Sequence, residues 1–149
     1  MIYYQILLRP VYVSASDEIA VRLGSNRRPR AVVSTLNGQT QACLDTGGRL
    51  VRLQVADSKI LHLGQRLSGL PVVENSLQLT PSGLIGYDLA ARVATFFLFP
   101  TPDHAIALRL LRHAAFDFDA NEHLLAVRIS AGPTAQREPD LYRALAFLR

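Results

Sequence analysis

The segment AVVSTLNGQTQACLDTGG, residues 31–48, largely decides which fold this sequence is expected to adopt. Two runs rich in apolar and β-branched residues, 31–36 and 39–44, flank Asn37-Gly38. Asn-Gly between such runs is the strongest short signal for a β-hairpin, because both residues tolerate a positive φ. We therefore predict two strands joined by a tight turn, the second of which ends abruptly at the tetrapeptide DTGG, residues 45–48.

The DTGG tetrapeptide supports two interpretations from its residues alone. In the first it is an ordinary turn, in which Asp45 caps its own backbone and a glycine supplies a positive φ. In the second, Asp45 presents a carboxylate from rigid backbone at the end of a strand and Thr46 offers a hydroxyl. Gly47 would then allow the backbone to approach a second copy of the same loop. Both interpretations stay open.

Outside this segment the pattern predicts a chain that is rich in strands up to Phe99 and mixed beyond it. Pro102 and Asp103 suit a helix N-terminus, and apolar residues follow at positions 106, 108, 110 and 111, so that we predict a helix over 103–115. A linker over 133–139 and a short helix over 141–148 follow. The other predicted strands lie at 2–13 (an edge strand, because it contains Pro10), 50–55, 70–73, 76–79, 93–99 and 123–130.

A second motif, GLIGYDL at residues 83–89, precedes the apolar strand at 93–99. A hairpin that runs into LDTG, followed downstream by GLIGYDL and a strand, resembles the retropepsin-like aspartic proteases. The resemblance covers residues 28–99 and implies that GLIGYDL opens a short helix. It also implies the fold class, a single α+β domain over 1–149 whose β-rich core over 28–99 is similar to the acid-protease barrel. A strand-helix-strand-helix extension over 100–149 would complete this domain.

The same resemblance implies an enzyme, a small bacterial-type aspartic endopeptidase with Asp45, Thr46 and Gly47 as its site residues. The family's mechanism needs two carboxylates that share one proton, because like charges in contact cannot both ionise. This chain has one DTG, so each subunit of a homodimer would supply one Asp45. The ionised carboxylate would activate a water for attack on the carbonyl of a peptide or protein substrate, without a cofactor.

Two features depart from the family's pattern. Only 35 residues lie between the DTG and the second motif, and residues 55–82 contain no clear glycine-tipped hairpin that could serve as a flap over substrate. An acidic residue after the DTG and an Arg after the second motif's glycine are replaced here by Arg49 and Asp88, with the signs reversed. We expect either a swapped ion pair between these two residues, or an Arg49 close enough to Asp45 to favour its ionised form.

The charge distribution suggests an alternative function, that of a non-catalytic binding or interaction module. The 149 residues carry a net charge of +4 and are 49% hydrophobic, enough for a sizeable core. Residues 1–66 hold nine basic and four acidic residues (+5), whereas residues 67–149 hold seven and eight (−1). Arg27, Arg28 and Arg30 cluster in the basic part. Because guanidinium groups pair well with phosphates, nucleic acid is the alternative partner.

The sequence also suggests where the protein works. No apolar run reaches the ~18 residues that a membrane-spanning helix needs, and the first residues lack the basic start and the cleavage site of a signal peptide. The single cysteine, Cys43, excludes an intramolecular disulfide and is predicted to be a buried strand residue. No nucleotide-binding loop motif occurs in the chain. We therefore expect a cytoplasmic protein without membrane contact, metal or cofactor.

Overall fold

The computed structural model describes residues 1–24, 30–73, 83–133 and 140–148, which form one antiparallel sheet of nine strands. The strands are β1 (Ile2–Gln5), β2 (Leu8–Val13), β3 (Glu18–Leu23), β4 (Ser34–Asp45), β5 (Leu50–Ala56), β6 (Leu84–Asp88), β7 (Val93–Phe97), β8 (Ile106–Phe118) and β9 (Leu124–Ser130). Across the sheet they lie in the order β1-β6-β7-β5-β4-β8-β9-β3-β2, and every neighbouring pair is antiparallel.

The sheet curls into half of a barrel whose inner face carries the hydrophobic core. Phe96, Phe116 and Phe118 project from β7 and β8 and are fully buried. One α-helical turn, α1 (Leu63–Arg66), follows β5, and the leucines in and around it pack into the same core. A 3-10 helix, Tyr142–Phe147, adds buried residues from the C-terminal segment. The prediction of a β-rich core is confirmed.

Both edges of the sheet come from the N-terminal region that was predicted to form an edge strand. The predicted strand over 2–13 divides into β1 and β2, which lie at opposite edges. Pro10 is in β2, where an edge position tolerates its missing N–H. The predicted strand over 70–73 is reduced to contacts along β1, including the hydrogen bond from the Val73 N–H to the Tyr3 carbonyl (2.8 Å).

The predicted hairpin at Asn37-Gly38 is wrong, because β4 runs straight through both residues. β8 pairs with β4 along its whole length, so the ladder holds the two residues extended, and neither has a positive φ. Gly38 serves close packing instead of a turn. A Cβ at this position would lie 2.9 Å from Leu61 Cδ1 and 3.0 Å from Phe116 Cε2.

The predicted helix over 103–115 is also wrong. That region forms β8, and only Asp103–Ala105 is helical, as one 3-10 turn. Leu110, Arg112 and Ala114 are buried, whereas the two residues between them are exposed, which is the alternation of a strand. The apolar positions in this region fit part of a helical face as well as a strand. Pairing with the long strand β4 supplies the hydrogen bonds that decide for the strand.

The extension over 100–149 is therefore strand-rich, in place of the predicted strand-helix-strand-helix order. Its predicted last helix, over 141–148, is present as the 3-10 helix already described. The predicted strands over 50–55, 93–99 and 123–130 are confirmed as β5, β7 and β9.

The helix implied for the GLIGYDL motif is absent, because residues 84–88 form β6, which makes a hairpin with β7. Asp88 Oδ1 accepts hydrogen bonds from the backbone N–H groups of Ala90 (3.0 Å) and Ala91 (3.1 Å), and so closes the hairpin turn. Gly86 lies in the middle of β6, where a Cβ would lie 2.7 Å from Met1 Sδ. The glycine permits close packing on a sheet face and does not mark a helix start.

Two predicted segments fall where the structure gives no description. The strand over 76–79 lies outside the described residues, and so do residues 134–139 of the linker. Within the described ranges, none of the helices has the length and apolar character that crossing a bilayer requires.

Candidate functional site

The Asp45 carboxylate closes the turn between β4 and β5 by accepting hydrogen bonds from its own loop. Oδ1 accepts from the backbone N–H groups of Gly47 (3.0 Å) and Arg49 (2.9 Å), and Oδ2 accepts from Arg49 Nε (3.2 Å). The Gly48 N–H donates to the Asp45 carbonyl (3.0 Å), and Gly48 has a φ of 88°. The turn chemistry expected of DTGG is therefore present, with the left-handed glycine at position 48.

The surroundings of Asp45 favour its ionised form. Burial raises the pKa of this carboxyl, but the hydrogen bonds from the Arg49 and Gly47 N–H groups and the Arg49 guanidinium together lower the pKa below its ordinary value. The Arg49 guanidinium also lies 4.5 Å from the centre of the Phe99 ring, which holds it in place. The expected proximity of Arg49 to Asp45 is confirmed. The swapped ion pair is wrong, because Asp88 caps the β6–β7 turn and Arg49 pairs with Asp45.

A cavity of about 490 Å³ opens beside this loop. Its walls come from the end of β4 and its loop, from the start of β8, and from the C-terminal segment. The lining residues are Leu44, Asp45, Thr46, Gly48, Ala107, Leu108, Asp140, Arg143 and Ala144. Of the three predicted site residues, Asp45 and Thr46 line this cavity, and Gly47 is exposed at the tip of the same loop.

Asp140 and Arg143 are site residues that the sequence analysis missed. They belong to no recognisable motif, and about a hundred residues of chain separate them from the DTGG loop. The fold brings them there, since a Cβ at Gly48 would lie only 3.1 Å from Arg143 Cδ. Gly48 therefore serves twice, because it supplies the positive φ and leaves room for the arginine.

The proposed basic surface has a mixed outcome. Arg27 and Arg28 lie outside the described residues. Arg30 is 60% exposed, but its Nη1 lies 3.1 Å from both Asp119 Oδ2 and His123 Nδ1, so a carboxylate already offsets its charge. Nucleic-acid binding through this cluster stays a prediction.

Cys43 is fully buried on β4, as predicted. Burial raises the pKa of its thiol, and this outweighs the opposing influence of Arg109, whose Nη1 lies 3.6 Å from the sulfur. The thiol is thus protonated and shielded, and we assign it a packing role.

Within the part of the chain that the structure describes, no group of three or more His, Cys, Asp or Glu residues is placed to hold a metal ion. The chain matches no protein-family model, and neither the curated proteins nor the solved structures contain a significant match to it. The functional interpretation consequently rests on the Asp45 loop and its cavity.

The role of Asp45 in its own loop can be measured directly. Asp45→Ala should lower the free energy of unfolding by about 1–2 kcal/mol, because it removes the acceptor for two backbone N–H groups. Asp45→Asn should lose less, since the amide oxygen can still accept from both. Denaturant unfolding of the two variants tests this, and equal losses would contradict it.

Proposed function

We propose that this protein is a non-catalytic binding module that holds an apolar segment of a peptide in the cavity beside the DTGG loop. The observation that carries the proposal is the cavity itself, about 490 Å³ in volume and assembled from three distant parts of the chain. Its volume falls in the range of about 300–1,000 Å³ that is typical of ligand sites.

The chemistry of the cavity wall suits a peptide. Leu44, Leu108 and Ala144 supply apolar surface for a side chain. The Thr46 hydroxyl can donate to or accept from a peptide backbone, and the Arg143 guanidinium can donate to its carbonyl groups. Arg143 makes no ion pair with any described residue, so its donors are available to a ligand.

In this proposal Asp45 is a structural residue of the site. Its carboxylate is engaged by three hydrogen bonds within the loop. It holds Thr46 and Gly48 at the wall of the cavity and contributes negative charge that Arg49 offsets.

A second candidate function is the homodimeric retropepsin-like aspartic peptidase, with peptide hydrolysis by paired Asp45 carboxylates. One observation favours it, because Asp45 lines the cavity in which a peptide would lie and receives the Gly47 N–H hydrogen bond. The Arg49 bond works against it, since it favours the ionised carboxylate, whereas a catalytic pair must share a proton. This candidate requires dimerisation to release Asp45 from Arg49.

One set of variants tests both functions. A library of apolar peptides is incubated with wild type, Asp45→Asn and Ala107→Trp, and binding is read by fluorescence anisotropy. Ala107 is exposed and lines the cavity, so an indole there should fill it. Ala120→Trp, in the exposed turn between β8 and β9, is the matched control. Cleavage is followed by mass spectrometry between roughly pH 3 and 7, where a carboxylate dyad would work.

The binding module predicts peptide binding that survives Asp45→Asn and Ala120→Trp and is lost in Ala107→Trp, with no cleavage. Cleavage by wild type that disappears in Asp45→Asn would establish the peptidase instead. Binding that Ala107→Trp leaves unchanged would overturn the assignment of this cavity.

A further inference from the structure

A second cavity, of about 370 Å³, lies between the α1 region and the turn that connects β8 to β9. The residues that line it are His62, Gln65, Arg66, Ser68, Gly69, Asn121, Glu122 and His123. None of them lines the cavity beside Asp45. The lining is almost entirely polar and includes one guanidinium and two imidazoles, so it differs in chemistry from the first cavity.

Arg66 is the central group of this wall. Its guanidinium carbon lies 4.1 Å from the centre of the Phe118 ring, which fixes the plane of the group. Its Nη1 atom is buried and has no hydrogen-bond partner among the described residues. A buried, charged donor without an acceptor is costly, so such a group calls for an acceptor from outside the chain.

The histidine on the opposite wall is held in a fixed orientation. His123 Nδ1 lies 3.3 Å from Asp119 Oδ2, and the His123 backbone N–H donates to Asp119 Oδ1 (2.9 Å). Arg30 Nη1 lies 3.1 Å from the same Asp119 oxygen. Asp119 is thus engaged by several donors and leaves little uncompensated negative charge. With Nδ1 directed at this pair, Nε2 is the ring nitrogen of His123 that is available to a ligand.

Two residues of the cavity wall adopt a backbone conformation that side chains other than glycine rarely take. His62 has a φ of 46° and Glu122 has a φ of 63°. Such residues are typically held in place by their surroundings and are frequent at ligand clamps. His62 is thereby placed on the wall that also carries Arg66, one turn of α1 away.

We propose that this cavity binds a phosphate group, either inorganic phosphate or the phosphate of a small monoester, through Arg66, His62 and His123. A phosphate has enough acceptor oxygens to engage a guanidinium and two imidazoles at once. Gln65 and Asn121 add neutral donors to the same wall. Glu122 is the one acidic residue of the lining, and it is exposed, so its carboxylate can turn to solvent.

The histidine side chains provide a direct test by NMR. Inorganic phosphate is titrated into the wild-type protein while chloride keeps the ionic strength constant, so that general screening does not change. Saturable shifts of the ring signals of His62 and His123 are expected, without shifts of His104 and His113, which are exposed elsewhere. A parallel titration with methyl phosphate shows whether a monoester is accepted as well as the free ion.

Two arginine variants make the test specific. Arg66→Met should weaken phosphate binding at least about tenfold, because it removes the guanidinium donors. Arg22→Met, at an exposed position on β3, should leave it unchanged. Because Arg66 packs on Phe118, Arg66→Lys is measured as well, and it should weaken binding while keeping the charge and the stem. Absence of saturable shifts in wild type, or equal affinity in Arg66→Met and wild type, would overturn the proposal.

Discussion

Gly38→Val should lower the free energy of unfolding by about 2–3 kcal/mol, although valine is the better strand former of the two residues. The reason is steric. The Cβ alone would lie 2.9 Å from Leu61 Cδ1 and 3.0 Å from Phe116 Cε2, and both neighbours are almost completely buried. Leu61 and Phe116 therefore have little room to move away, and the two further methyl groups of valine add to the overlap.

Two matched variants separate this packing effect from a turn or a general effect of removing glycine. Gly69→Val places the same side chain where nothing lies within 4 Å of the new Cβ, and it should cost much less. Asn37→Thr, exposed on the neighbouring position of β4, should be tolerated because a strand accepts threonine. Urea unfolding measures all three variants. A strongly destabilised Asn37→Thr would contradict the extended conformation, since only a turn with positive φ needs asparagine there.

The hairpin prediction failed at Asn37-Gly38 because it used local information only. Asn-Gly permits a turn, but it does not require one. The pairing of β4 with β8, and the need for a residue without a side chain beneath Leu61 and Phe116, are long-range features that the sequence pattern does not display. The same limitation explains β8, where tertiary pairing overrode a helix-compatible pattern.

Local chemistry could be predicted where it depends on neighbouring residues alone. The Asp45 turn, the proximity of Arg49 and the burial of Cys43 are all set within a few positions of the DTGG loop or by the strand alternation of β4. The cavity beside this loop could not be predicted, because Arg143 reaches it only through the packing of the C-terminal segment onto the sheet.

Asp57→Ala should also destabilise the protein by about 3 kcal/mol, because its carboxylate ties β5, α1 and β6 together. Oδ1 accepts from the backbone N–H groups of Ser58 (2.8 Å) and Leu63 (2.9 Å). Oδ2 accepts from the Gly64 N–H (3.1 Å) and from the Tyr87 hydroxyl (2.6 Å). Truncation leaves these donors without an acceptor inside the half-barrel, whereas truncation of an exposed carboxylate would cost little.

Tyr87→Phe and Ser58→Ala are informative companions for this variant. Tyr87→Phe deletes one donor and retains the ring, so it should cost clearly less than Asp57→Ala. Ser58→Ala keeps the backbone N–H that Asp57 receives, but removes the hydroxyl that accepts from the Leu61 N–H (3.1 Å). If Ser58→Ala matched the loss of Asp57→Ala, the connection would depend on the serine hydroxyl and the central role of Asp57 would be refuted.

The pH dependence of stability gives an independent measure of the Asp57 charge. Burial raises the pKa of this carboxyl, but the Tyr87 hydroxyl and the backbone N–H groups together lower it below its ordinary value. A lowered pKa means that the stabilisation is complete above the unfolded-state value of about 4 and is lost as pH falls through the folded-state value. The difference in unfolding free energy between wild type and Asp57→Asn should therefore be constant from about pH 5 to 8 and shrink below about pH 4. Urea unfolding across this range measures it, and a difference that stayed constant into acid would mean that Asp57 acts through its shape and not through its charge.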